Sequence, residues 1–353
     1  MGTNIALILS SFLNKNFEIF KGTEEGLINE IEKICLVFSY ITEKDLFLET
    51  TRVAMSDRLL NNRSFSYEAE KYFVSKLTKI CGNTSFIGRM EGMLNDISAA
   101  TDLSLKFKDF SSKSELKLSI EDFSAIVLRD SCWPNYTIFY PKLDPLLLGC
   151  EEFFQKFFKS LEGNSNKELK WAYTLGSCAL NLTFNGKKYE IHSKTIYALV
   201  LTCLNKVPNV SFQEMLNKLN LPEDKLRNIL KWIESQKHKM IETENDIVKF
   251  NSNFSSPNLL IRLQDEIEPI QMQKQKSNLM ILESRAFAID ASIMKILKAK
   301  KEIFFNDLFA AIVKNTTTFT PDIEMVKERI EELLSREYIT RDSEHHDKFK
   351  YSS

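Results

Sequence analysis

Ala179-Leu180-Asn181-Leu182-Thr183-Phe184-Asn185-Gly186 alternates apolar with polar side chains and then breaks at an Asn-Gly pair. Alternation of period two places Leu180, Leu182 and Phe184 on one face of a strand. Asn-Gly is the strongest short signal for a two-residue hairpin turn, because both of its central positions need positive φ. Tyr189 to His192 is the return strand, and Ser124 to Leu128 and Trp171 to Leu175 are further strand candidates. A sheet of this size is too small to form a domain unless helices or a partner cover it, so its edges need an explanation.

On the N-terminal side, Gly26 to about Phe107 is a series of helical stretches, with Leu27, Ile31, Ile34 and Phe38 at helical spacing. Gly82-Asn83-Thr84-Ser85 and Asp109 to Ser114 are the turn-rich breaks. On the C-terminal side one arrangement occurs twice, about 99 residues apart. Pro222-Glu223-Asp224 and Pro321-Asp322 each open a helix, because proline and early acids suit helix starts. A shorter apolar helix precedes each, Phe212 to Leu219 and Phe304 to Lys314. Each is followed by an aliphatic strand, an acidic turn and a second strand, ending at Phe250 and at Tyr351. Three helices followed by a hairpin is a winged-helix plan. Between the copies, Gln271 to Ser277 lacks periodic apolar residues and reads as a linker that leaves the last module loosely attached.

The 353 residues are 43% hydrophobic, enough for two or three domains with real cores. Lys plus Arg number 47 against 48 Asp plus Glu, so one-sided attraction to nucleic acid or an anionic membrane is not expected. The alternative of a winged-helix nucleic-acid-binding regulator meets a local obstacle. The second candidate recognition helix carries Asp322, Glu324, Glu328, Glu331 and Glu332, which phosphates would repel. The six cysteines stand singly, with no C-x-x-C pair, as in a reduced protein of cytoplasm or nucleus. No apolar run approaches a membrane span. The four histidines, without cysteine pairs, supply no local zinc spacing, and no phosphate loop or nucleophile motif occurs. Hence no catalytic residue, metal site or cofactor is expected.

Arg285-Ala286-Phe287-Ala288-Ile289-Asp290-Ala291-Ser292-Ile293-Met294-Lys295-Ile296-Leu297-Lys298 is similar to the R-x-x-x-I-x-A-A-I-V-R-I-M-K pattern of the cullin family. Val37-Phe38-Ser39-Tyr40-Ile41-Thr42-Glu43-Lys44-Asp45-Leu46-Phe47 resembles the family's V-F-x-Y-I-x-x-K-D-V-F. Met90 to Ile97, Trp133-Pro134, Trp171-Ala172-Tyr173 and the aromatic ending at Tyr351 continue in the same order. Departures mark a divergent member: Thr50-Thr51 stands where an aromatic pair is usual, and Ser56-Asp57 where a small-basic pair is usual.

The resemblance covers the family's C-terminal region and implies a non-catalytic scaffold of a ubiquitin ligase, in the cytoplasm and nucleus. The fold it implies is α+β and predominantly helical. The domains expected are a helical bundle at 1–118, a small α/β sheet domain at 119–194 and about 251–266, a winged helix at 195–250, a linker at 267–282, and a C-terminal winged helix, the neddylation domain, at 283–353. The expected partners are a RING-box protein, which brings the zinc, a ubiquitin-conjugating enzyme held through it, and a Nedd-type ubiquitin-like modifier with its conjugation machinery. The resemblance begins close to residue 4, where the family's C-terminal region begins; substrate adaptors would bind N-terminal repeats absent from this stretch, which is expected to be part of a longer chain. A RING-partner strand completing the small sheet would meet Trp171, Leu175, Leu180, Leu182, Phe184, Tyr189 and Ile191. Lys15 and Lys21 remain where the family has a lysine-richer stretch that attracts acidic tails of conjugating enzymes. The modifier acceptor falls on Lys298, which helical geometry sets about 140° from the Ile289, Ile293, Ile296 and Leu297 face and so toward solvent.

Overall fold

A computed structural model describes residues 5–113, 123–207, 209–236, 239–263 and 270–352, with the backbone alone for 270–277. The chain divides into two compact units, one of residues 1–97, 128–134 and 268–353 and the other of residues 98–127 and 135–267. The architecture is α+β and predominantly helical.

The first unit opens with helices α1 (Ile5–Ile19), α2 (Glu24–Tyr40), α3 (Lys44–Leu60), α4 (Tyr67–Cys81) and the start of α5 (Ser85–Lys113). Local chemistry fixes the ends. The hydroxyls of Thr23 and Ser66 accept from the backbone N–H groups of Gly26 and Ala69, satisfying donors that the first turns of α2 and α4 leave open. Gly82, at φ 73°, stops α4 in a conformation that costs a side-chain-bearing residue more. Leu27, Ile31, Ile34 and Phe38 are buried as their spacing predicts. This core also holds charge. Arg58 forks onto Glu70 at 2.8 and 3.0 Å with both side chains fully buried, and its guanidinium stands 4.6 Å from the Phe17 ring centre. Removing either partner would strand an uncompensated charge. The Thr51 hydroxyl, one of the departures from the family pattern, bonds the Ser10 hydroxyl at 3.0 Å in the interior. The break expected at Asp109 to Ser114 is instead helix through Lys113, an exposed polar turn closed by Lys113–Asp109 at 2.6 Å and Ser112 Oγ to Asp109 O at 2.8 Å. Ser114 lies outside the described residues.

The second unit contains α6 (Pro145–Ser160), β1 (Ser177–Phe184), β2 (Lys187–Lys194), α7 (Thr195–Lys206), β3 (Asn209–Ser211), α8 (Phe212–Leu219), α9 (Glu223–Ser235), β4 (Ile241–Glu244), β5 (Ile247–Phe250) and β6 (Leu260–Arg262). β1 and β2 pair antiparallel, with Phe184 opposite Lys187. Asn185 and Gly186 between them have φ 50° and 79°, the two positive values the hairpin needs. β6 joins β2 in parallel, Ile191 opposite Ile261, in the sheet order β1-β2-β6. The strand from the 251–266 stretch therefore enters the small sheet. α7, α8 and α9 with the sheet β3-β5-β4 form the first winged helix.

Two strand expectations fail. Trp171 to Leu175 leads into a turn, the Leu175 N–H bonding the Ala172 carbonyl at 2.9 Å. Ser124 to Leu128 belongs to no strand, although burial alternates along Phe123 to Val127, with Phe123, Ala125 and Val127 against the α6 aromatics. Alternation selects a face, but a strand also needs a backbone partner.

The first unit is completed by α10 (Ile270–Lys300), β7 (Glu302–Phe304), α11 (Phe305–Asn315), α12 (Ile323–Ser335), β8 (Ile339–Arg341) and β9 (Lys348–Tyr351), whose sheet order β7-β9-β8 repeats that of the first winged helix. The linker expected at 267–282 is overturned from residue 270 onward, where α10 already runs; 267–269 lie outside the described residues. Gln, Met, Lys and Leu are good helix formers, and extending an existing helix adds a hydrogen bond for each residue fixed, so absence of an apolar stripe does not prevent it. Loose attachment of the module is also contradicted. Arg285 of α10 reaches Asp45 at the start of α3 with two bonds, at 2.5 and 3.1 Å, and the Asp45 N–H donates to the Thr318 carbonyl at 3.1 Å.

Candidate functional site: an open sheet edge and a surface lysine

The residues expected to meet a partner strand fall into two separate places. Leu182, Phe184, Tyr189 and Ile191 are buried in the core shared with α7 and the first winged helix, where the Phe184 ring stands 4.5 Å from that of Phe254 and 5.1 Å from that of Phe250. Their side chains are interior to this unit. The apolar face of the hairpin is used up by the winged helix beside it. Leu180 packs at the margin of the same core, and Leu175 is half-buried in its turn. Trp171 lies elsewhere, against Phe154 at 5.9 Å and Phe123 at 6.4 Å in the α6 cluster. The backbone offers more than the side chains. β1 ends the sheet order, and its outward row of Ser177, Ala179, Asn181 and Thr183 is exposed. The Phe123 to Val127 segment pairs with no strand among the described residues and leaves Ile126 half exposed.

The α6 aromatic cluster is the feature that sequence reasoning missed. Asp144 caps α6 by accepting from the Leu146 N–H, Pro145 sits in its first turn, and Phe153, Phe154, Phe157 and Phe158 line one face against Phe107. The signal was present, since pairs of phenylalanines four apart fill one face of a helix.

Lys298 is exposed in the last turn of α10, while Ile289, Ile293, Ile296 and Leu297 are buried, which is the division that the periodicity predicts. Its amine stands 5.7 Å from the centre of the Tyr351 ring, and the Lys301 amine stands 6.0 Å from the same ring. Lys301 ends the helix with φ 67°, its N–H bonding the Leu297 carbonyl at 2.8 Å. The module beneath is held by Arg329, which forks onto Asp290 at 2.6 and 2.8 Å and so ties α12 to α10; this bond pushes the guanidinium pKa up. On the wing, Asp342 accepts from Lys350 and from the N–H groups of Glu344 and His345, which hold its carboxyl well below the usual range.

Landmarks far apart in sequence meet inside the first unit. Asp96 accepts from the Trp133 indole at 2.9 Å and from Arg129 at 2.7 and 2.8 Å, and the Gly92 carbonyl accepts from Arg129 at 2.8 Å. The stretches Met90–Ile97 and Trp133-Pro134 therefore clasp each other. Asp45 and Arg285 join two more. The bond to Asp45 raises the Arg285 pKa and outweighs burial, which lowers it. Among the described residues, no group of three His, Cys, Asp or Glu side chains is placed to hold a metal, and no helix is long and apolar enough to cross a membrane.

Three family models match in order along the chain: a cullin alpha solenoid domain at residues 3–104, a cullin alpha+beta domain at 127–258 and a cullin protein neddylation domain at 284–345. The chain is 32% identical to Cullin-1 of Oryza sativa subsp. japonica and 30% identical to Cullin-2 of Arabidopsis thaliana, each over 99% of this chain and 48% of the relative. It is 28% identical to Cullin-4A of Homo sapiens over 94% of this chain and 44% of the relative. The chain thus spans about half the length of the curated relatives it matches. With three matches in sequence order, and with the motif residues clasped together in the fold, the chain belongs to the cullin family as a divergent member.

Proposed function

We propose that this chain is the C-terminal scaffold of a cullin-RING ubiquitin ligase, holding a RING-box protein and accepting a Nedd-type modifier on Lys298. The observation that carries the reading is the exposed amine of Lys298 within the stretch that matches the neddylation domain. In the transfer, the neutral amine attacks the carbonyl carbon of the modifier's C-terminal thioester on a conjugating enzyme. The C–N bond forms, the C–S bond breaks, the enzyme cysteine leaves as thiolate and the amine proton passes to solvent. The chain itself supplies position, as a non-catalytic subunit, and zinc enters with the RING partner.

The RING-box protein would add a strand beside backbone that pairs with no strand on that side among the described residues, the outer edge of β1 or the Phe123 to Val127 segment. Main-chain hydrogen bonds then supply affinity, and half-exposed side chains such as Leu180 and Ile126 supply the choice of partner. The rival nucleic-acid reading has the exposed carboxylates of Glu324, Glu328 and Glu331 on α12 against it. The test is reconstitution with a RING-box protein, a charged conjugating enzyme and the modifier. Removing the partner's N-terminal strand should abolish the complex, and Lys298→Arg should block modification while the complex persists. Full modification of the arginine variant would move the acceptor to another lysine.

A further inference from the structure

We infer that Tyr351 is a positioning residue for the acceptor, a shared ring that holds Lys298 and Lys301 together and sets which of them is modified; this rests on the reading of Lys298 as acceptor. A lysine side chain has four rotatable bonds, and an exposed one loses considerable entropy when its amine is brought to a single point. Here part of that loss is already met. The Tyr351 ring is fixed before any partner arrives: its residue pairs with Ile339 across the sheet, its N–H donates to the Lys301 carbonyl at 3.0 Å, and its side chain packs on the module core. The same backbone bond ties the ring to the last turn of α10. Lys298 and Lys301 project from that turn three residues apart, and among the described residues theirs are the lysine amines that sit over this ring. Lys295 and Lys300 are exposed near by without that platform.

The two lysines are not equivalent. Lys298 is within the helix, whereas Lys301 has the left-handed backbone of a helix end, a conformation that favours Gly or Asn. The ring thus draws two amines to one place from two directions, and Lys301 competes for it. Attraction between a cation and a ring favours the protonated amine. A ring that merely held charge would slow the attack, so its loss would speed the reaction. A ring that positions the amine has the opposite sign, and the sign of the change separates the two roles.

The experiment is single-turnover transfer of the modifier to the full chain in complex with its RING partner, with sites assigned by mass spectrometry. Tyr351→Leu should lower the rate at Lys298 roughly two- to five-fold, the size of an ordinary exposed cation–π contact, and spread product to Lys295, Lys300 and Lys301. Tyr351→Phe keeps the ring and should restore both rate and site. Lys301→Asn leaves the core alone, suits the left-handed position and should speed transfer to Lys298. Wild-type product on a lysine other than Lys298 would sink the acceptor reading itself. Wild-type product on Lys298, with Tyr351→Leu equal or faster and unchanged in site, would sink the positioning role. Should Tyr351→Leu unfold, an unchanged or slower rate in Lys301→Asn overturns the shared platform.

Discussion

Individual side chains in the first unit leave little slack. A Cβ at Gly92 would lie 2.3 Å from Cys132 Sγ, a distance that real side chains essentially never show, and a tight 3.1 Å from Cys132 Cβ, and Cys132 is buried beside Trp133. Gly92→Ala should therefore destabilise the chain by about 1–3 kcal/mol, as overpacking does, and Cys132→Ala should recover much of that in the double variant. Thermal unfolding of the four members of the cycle measures it, and additive losses would show that the clash is relieved some other way. Lys298 was legible at this scale because its exposure follows from helical periodicity alone. The burial of Leu182, Phe184, Tyr189 and Ile191 was not. Alternation shows that a strand has an apolar face, but what covers the face depends on α7 and Phe254, whose approach is a tertiary fact.

Elements were legible where short-range chemistry determines them. The β1–β2 hairpin follows from the φ demands of Asn185 and Gly186, and both winged helices follow from proline or acidic starts and a terminal hairpin. α10 before Glu283 was not legible, because periodicity detects packing and not helicity. The joint between α10 and α3 is open to test. Arg285→Ala would leave the Asp45 carboxylate buried without its partner. Breaking a buried pair costs about 3–5 kcal/mol, and the partial exposure of Arg285 reduces this to about 2 kcal/mol. Hydrogen exchange should rise in the first turn of α3 and at Phe319, over whose ring Arg285 lies at 5.0 Å, and unchanged exchange would show that other contacts hold the joint. The wing carries a pH dependence. The folded-state pKa of Asp342 is depressed by Lys350 and two backbone donors, so its stabilisation is present above the unfolded carboxylate pKa of about 4 and is lost as pH falls. Acid titration followed by NMR should loosen β8 and β9 before α10 and α12, and Asp342→Asn should remove that order.

For the molecule as a whole, near-equal numbers of acidic and basic residues, with carboxylates along α12, predict no salt-dependent retention of duplex DNA at physiological ionic strength. A gel shift whose strength falls steeply with salt would contradict this. The Asp45–Arg285 joint has one more consequence. Any ligand that binds only with this joint open must overcome the free energy of the joint. Linkage makes the relation reciprocal: a ligand that favours release weakens the joint by the same factor by which the joint weakens that ligand. Arg285→Ala should accordingly tighten any such ligand by the factor equivalent to its own destabilisation, about thirtyfold for 2 kcal/mol, while leaving ligands indifferent to release unchanged. The residue that opens the family's modification motif would then act as a thermostat for every partner that reads the module's hidden face.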